Sequence, residues 1–184
     1  MDRTEEYLFL REEIIKNYSY IEKYRDIMYT VTLAILTIAF NQNEPLIFLL
    51  PLLIDIPIYK ITIDKTLSIC KNSMYLAVFL EGENFQWETK LYEYDKKFSH
   101  PKAKGNSVNV YLYSIIVISC AILSILHLNF CDIFSTHTLL RIICIIVSTV
   151  LSLVFIKKWD INYEIEKEKC KKNWECIKSK SENK

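Results

Sequence analysis

The 23 Lys and Arg residues of this chain fall as five in residues 1–26, eight in 60–104 and nine in 157–184, with Arg141 alone outside those blocks. Between the blocks lie four apolar stretches, 27–40, 45–59, 110–130 and 139–156. Charged segments alternating with apolar runs near the length of a bilayer crossing are the pattern of a polytopic membrane protein whose cytoplasmic loops carry the positive excess. The expectation is four spans with both termini inside. The competing fold is a soluble helical bundle with buried core helices, and the 51% apolar content gathered into such blocks argues against it. A formal net charge of +1 sums charged segments with almost uncharged ones, so it predicts no partner.

The expected fold class is therefore all-α. An amphipathic cytoplasmic helix over 1–26 leads into a transmembrane hairpin over 27–59. A cytoplasmic helical hairpin over 60–108 separates it from a second transmembrane hairpin over 109–156, and a cytoplasmic tail follows over 157–184. Seven acidic residues precede the first apolar run and no small-residue cleavage site follows it, so this run does not read as a secretory signal and is expected to remain in the mature protein. The six cysteines, at 70, 120, 131, 144, 170 and 176, form no CxxC pair and lie near no cluster of histidines. Cys70, Cys170 and Cys176 fall on the expected cytoplasmic side, where thiols stay reduced, so neither a disulfide framework nor a metal is expected.

Within the first segment Thr4 is a plausible N-cap. Tyr7, Leu10, Ile14, Ile21, Tyr24 and Met28 recur every three or four residues, with Asn17 on the same seam. Such a seam can pack on the chain's own cytoplasmic helices or lie among headgroups; it can also self-associate or plug a pore, which makes Tyr7, Leu10 and Ile14 gate candidates. The first span has only 14 residues, roughly 21 Å of helix against a hydrocarbon core of roughly 30 Å. It must borrow length from the Tyr20–Tyr24 region or sit in a locally thinned bilayer. Thr30, Ala34 and Thr37 place small side chains on one face, suited to close helix packing.

The second span begins at Pro45 and contains Pro51, Asp55 and Pro57. Each internal proline removes a backbone bond, which sets Asp55 between two weakened turns. Ten residues from Pro45, it also lies about 15 Å deep. A carboxylate there is costly unless protonated, paired or hydrated, and intramembrane acids are functional more often than not. Asp55 either lines a water-filled pathway, with Pro51 and Pro57 as hinges, or hydrogen-bonds to hydroxyls such as those of Thr30 or Ser119. An outer band of Glu44, His127, Asp132, His137 and Arg141 allows Arg141 to pair with Asp132 or Glu44, or to snorkel to headgroups.

From Tyr59 the helix is expected to continue to Leu80, ending at Gly82, with a second helix over roughly Phe85 to Lys97 and a loop carrying His100 and Gly105. This segment interleaves bases with aromatics. Lys65, Lys71, Tyr75, Trp87 and Lys90 are its ligand-binding candidates, since stacking and phosphate pairing together hold nucleotides or single strands. Six acids against eight bases over 60–104 speak against an open electrostatic groove. The alternative is a packed helical domain with Trp87 in its small core. No HExxH, GxSxG or glycine-rich phosphate loop is present, and no nucleophile has a nearby histidine, so the chain does not read as an enzyme and no cofactor is expected.

Tyr75-Leu76-Ala77-Val78-Phe79-Leu80-Glu81 followed by Trp87-Glu88-Thr89, after a proline-broken second span, resembles small bacterial inner-membrane proteins of antiphage defence loci. In layout the chain is most similar to the four-span effectors of the Hailong and Kiwa systems. The resemblance implies a homo-oligomer, with a tetramer favoured, whose opening depolarises the cell and whose cytoplasmic part senses an infection-linked signal. For the Hailong type it further implies a nucleotide or oligonucleotide ligand made by a companion nucleotidyltransferase. The N-terminal helix would be the plug and the 60–104 segment the place of recognition. The leading expectation is a gated pore coupled to the cytoplasmic hairpin through the helix 58–80, bending at Pro51 or Pro57. A non-conducting sensor or scaffold that recruits a cytoplasmic partner is the alternative.

Overall fold

A computed structural model describes residues 3–42, 44–81, 86–98, 107–128 and 135–182. Gly82, Gly105, His100, Cys131 and Asp132 lie outside them. Every element among the described residues is helical. Helix α1 (Arg3–Gln42) is followed by a 3₁₀ turn (Pro45–Leu49) that passes into α2 (Leu50–Tyr75), and α2 ends in a π-helical turn (Leu76–Leu80). Helices α3 (Trp87–Phe98), α4 (Ser107–Leu126) and α5 (Thr136–Glu182) complete the chain.

Two stretches, Pro45–Leu80 and Thr136–Lys180, are long and apolar enough to cross a membrane, and Val110–Leu126 is a shorter apolar helix. The seam of the first segment and the apolar run 27–40 form one unbroken 40-residue helix, since neither glycine nor proline interrupts them. Residues 157–182 likewise prolong the apolar run of α5 without a break. Helix α4 stops at Leu126, short of the expected end at Phe130. The two prolines of the second apolar run do not behave alike. Pro51 is the second residue of α2, at the junction where the 3₁₀ turn passes into it, whereas Pro57 stands inside the helix.

The chain divides into two compact units, to each of which α1, α2 and α5 contribute a segment: residues 1–22, 62–107 and 161–184 form one, and 23–61 with 108–160 the other. In the second, apolar unit, Met28, Phe48, Tyr59, Val117, Ser124, Ile145 and Ile156 are fully buried or nearly so. The Ser124 hydroxyl donates to the Pro45 carbonyl at 2.6 Å, which satisfies an acceptor left open by the 3₁₀ turn. His127 stacks on Phe48 at 4.7 Å between ring centroids. Thr30, Thr37, Thr149 and Ser152 turn their hydroxyls back to the carbonyl four residues earlier, the usual satisfaction of a hydroxyl on an apolar helix. The outward surface is strongly apolar: Ile115, Ile122, Ile143, Val150 and Val154 are all exposed.

The first, more polar unit is built on a cluster of Ile14, Ile21, Ile69 and Leu76, with Tyr7, Leu10 and Leu80 packed against it. The α1 seam therefore lies against the C-terminal half of α2, the intramolecular packing that a three-and-four spacing allows. The small-residue face of Thr30, Ala34 and Thr37 points outward from the chain.

Candidate functional site

Asp55 is 2% exposed on α2, and both of its oxygens accept from a single hydroxyl, that of Thr32 on α1, at 3.1 and 3.2 Å. Neither expected donor supplies this contact. Thr30 bonds to its own helix at Asp26, and Ser119 is exposed. A carboxylate within apolar surroundings is stabilised by each hydrogen bond to it and destabilised by every lost contact with water, so this one hydroxyl carries an unusual share of the compensation. Pro57, two residues on, is exposed, while Pro51 is buried. At the other end of the same unit, Arg141 pairs with Glu44 at 3.1 Å, one of the two partners the sequence allowed; both side chains are partly exposed, so the pair contributes little.

In the polar unit, α1 is met by side chains and a carbonyl from the second half of α2, its π turn and α3. Lys65 Nζ donates to Asn17 Oδ1 at 3.1 Å and lies 5.1 Å from the centre of the Tyr20 ring. The Tyr75 hydroxyl donates to Glu6 at 2.8 Å. Arg3 reaches the Phe79 carbonyl at 3.3 Å, and Arg11 pairs with Glu88 at 2.5 Å. Asn17, buried on the apolar seam, is thus explained by the lysine that faces it.

The five expected ligand-binding residues do not converge. Lys65 serves Asn17, and Tyr75 stacks with Phe79 at 5.0 Å and meets Trp174 edge-on at 5.2 Å. Lys71 and Lys90 have exposed side chains. Trp87, expected in the small core, is 59% exposed, because it is the first residue of α3 and projects from the helix start. The buried residue of that turn is its neighbour Glu88, at 7%. Burial pushes the Glu88 carboxyl above its ordinary range, opposed by the Arg11 guanidinium beside it.

Glu81 organises the same turn. Its carboxylate accepts from the backbone N–H groups of Glu88 and Thr89 and from the Thr89 hydroxyl at 2.6 Å, capping the start of α3 with charge of the sign the helix dipole favours. This cap lies seven residues before Glu88, outside any local capping motif, and no spacing rule would have found it. Trp174, expected on the tail helix to face the membrane or its neighbours, donates its indole N–H to the Lys71 carbonyl at 3.2 Å. Among the described residues, no group of three or more His, Cys, Asp or Glu is arranged to hold a metal ion. No protein-family model matches the chain, and no curated protein or solved structure matches it either.

Proposed function

We propose that the chain is the protomer of a homo-oligomeric gated pore in a bacterial inner membrane, with spans at 27–40, 45–59, 110–130 and 139–156 and both termini cytoplasmic. Its opening depolarises or permeabilises the membrane in antiphage defence. The observation that carries the reading is Asp55: a carboxylate that is buried in an apolar unit, sits beside an interior proline and is held by one hydroxyl is costly to keep, and lipid penalises an idle acid. The membrane setting is supported by α5, whose most apolar stretch is only 17% buried, against 44% for that of Pro45–Leu80, so that most of its apolar surface needs lipid or a second copy. Four spans are too few to enclose a wide pathway, so the pathway lies on a symmetry axis of the oligomer, with a tetramer favoured by the Hailong and Kiwa resemblance. The same resemblance suggests a nucleotide or oligonucleotide ligand, supplied by a companion nucleotidyltransferase and received by the polar unit.

A non-conducting sensor or scaffold is the second reading, and the Thr32 contact favours it, since a satisfied Asp55 can serve structure alone. Asp55→Asn and Asp55→Leu separate the two. For a pore, membrane depolarisation in expressing cells, followed with a potential-sensitive dye, changes in both variants. Depolarisation that never occurs, with capture of a cytoplasmic partner intact in all three proteins, establishes the scaffold instead.

A further inference from the structure

Within the polar unit, α5 meets the end of α2 and its π turn at successive helical turns. The Cys170 thiol reaches the Cys70 carbonyl at 4.0 Å, the Trp174 indole N–H donates to the Lys71 carbonyl at 3.2 Å, and Lys178 Nζ donates to the Val78 carbonyl at 2.7 Å. Residue numbers rise together along the two helices, so they run parallel here, and contacts one turn apart on α5 fix its rotation against α2. The Tyr75 and Phe79 rings meet Trp174 edge-on at 5.2 and 6.0 Å, which packs the seam below the first contact. Cys70 and Cys170 face one another at its start. Cys170 is 5% exposed and Cys70 is partly exposed, whereas Cys176 is exposed and stands about 120° around α5 from Cys170. Burial, with the Cys170 thiol next in effect, pushes the Cys70 thiol up to about 11, and burial raises that of Cys170 as well. In a reducing compartment the pair rests as two neutral thiols.

We propose that Cys70 and Cys170 are an oxidative modification site, which hydrogen peroxide closes into a disulfide that ties α5 to α2. The partly exposed Cys70 sulfur attacks one peroxide oxygen and the O–O bond breaks. The other oxygen takes the thiol proton and leaves as water, so that Cys70 becomes a sulfenic acid. The Cys170 sulfur then attacks the Cys70 sulfur and the S–O bond breaks. The departing hydroxide takes the Cys170 proton and leaves as a second water. Two electrons pass in all from the two sulfurs to the peroxide, and a thiol reductant reverses the bond. Little thiolate is present at neutral pH, so the first step is slow and the tie records sustained rather than brief exposure to oxidant. The loop it closes, residues 70 to 170, is long, and cross-links over long loops constrain the unfolded chain most. The site rests on the seam between α2 and α5, and it stands or falls separately from the pore reading.

The test treats the full chain in dodecyl maltoside with hydrogen peroxide, blocks the remaining thiols with N-ethylmaleimide and maps the peptides by mass spectrometry. The main oxidised product is expected to be a peptide pair linked through Cys70 and Cys170 of one chain and released by dithiothreitol. The unfolding midpoint of the oxidised chain should rise by about 5 °C or more, with no rise in Cys70→Ser or Cys170→Ser. The mapping is made on the parent chain, so it needs neither variant to fold, and Cys176→Ser, at an exposed thiol, should leave the linked pair in place. Cys70 recovered as sulfinic acid or as its maleimide adduct, with Cys170 still free, overturns the site. Cys70 linked to other cysteines as often as to Cys170 overturns it too. So does a linked pair formed equally in chain unfolded with guanidinium chloride, since folding would then not be what brings the thiols together. A link that leaves the midpoint unmoved refutes the tie between the helices.

Discussion

Replacing Thr32 by Val removes one hydroxyl and almost no volume, so it isolates the single hydrogen-bond donor that Asp55 has from α1. Hydrogen bonds to charged groups contribute roughly 1.5–3 kcal/mol when the acceptor is otherwise buried. Contacts between membrane helices average nearer 0.6 kcal/mol, with a maximum of about 1.7, because the unfolded chain in lipid also finds partners. At 2% exposure Asp55 belongs toward the upper end of the second range, giving an expected loss of about 1–2 kcal/mol. For a chain of this length that is a fall of about 2–8 °C in the unfolding midpoint, readable from intrinsic Trp fluorescence in detergent. The decisive arm is the double-mutant cycle. In the Asp55→Leu background the carboxylate is gone and the Thr32 hydroxyl can turn back to its own helix, as those of Thr30 and Thr37 do, so Thr32→Val should then cost about zero. Equal losses in the two backgrounds would refute the reasoning, because the pair would then carry no coupling.

Ile14→Ala removes a fully packed side chain from the cluster with Ile21, Ile69 and Leu76 and should cost about 2–4 kcal/mol, seen as reduced protection in hydrogen exchange at residues 10–21 and 69–80. Because burial raises the Glu88 carboxyl, the folded chain holds that proton more tightly than the unfolded chain does. The resulting stabilisation is complete below the ordinary Glu range and is lost as pH rises through the raised value. Glu88→Gln should therefore be more stable relative to the parent at pH 7 than at pH 4, and a pH-independent difference in denaturation midpoint would contradict the direction. Pro57→Ala restores a backbone donor inside α2 and should change any gating, whereas Pro51→Ala, in the first turn, should leave it as it was; paired ion-flux measurements compare them.

Periodicity made the α1 seam legible, and every expected member from Ile14 to Met28 that recurs at three and four residues faces inward to some degree. The seam also explains its own exception, since Asn17 meets Lys65. What periodicity cannot supply is the rotation of one helix against another. Thr30 and Thr32 lie about 200° apart around α1, so the choice of donor to Asp55 depends on helix packing that no single-helix pattern encodes. The same limit applies to α3. Its aromatic first residue looked like core, yet the start of the helix is set by the distant Glu81 cap, which turns Trp87 out and Glu88 in. Proline identity likewise did not reveal proline position: Pro51 and Pro57 differ only in where α2 begins.

Planar-bilayer recording from the purified, folded protein tests the proposed gated pore most directly. Discrete conductance steps are expected, with an amplitude or selectivity that changes in Asp55→Asn. Protein that inserts, remains folded and passes no current, with or without added nucleotide ligands, would contradict the pore.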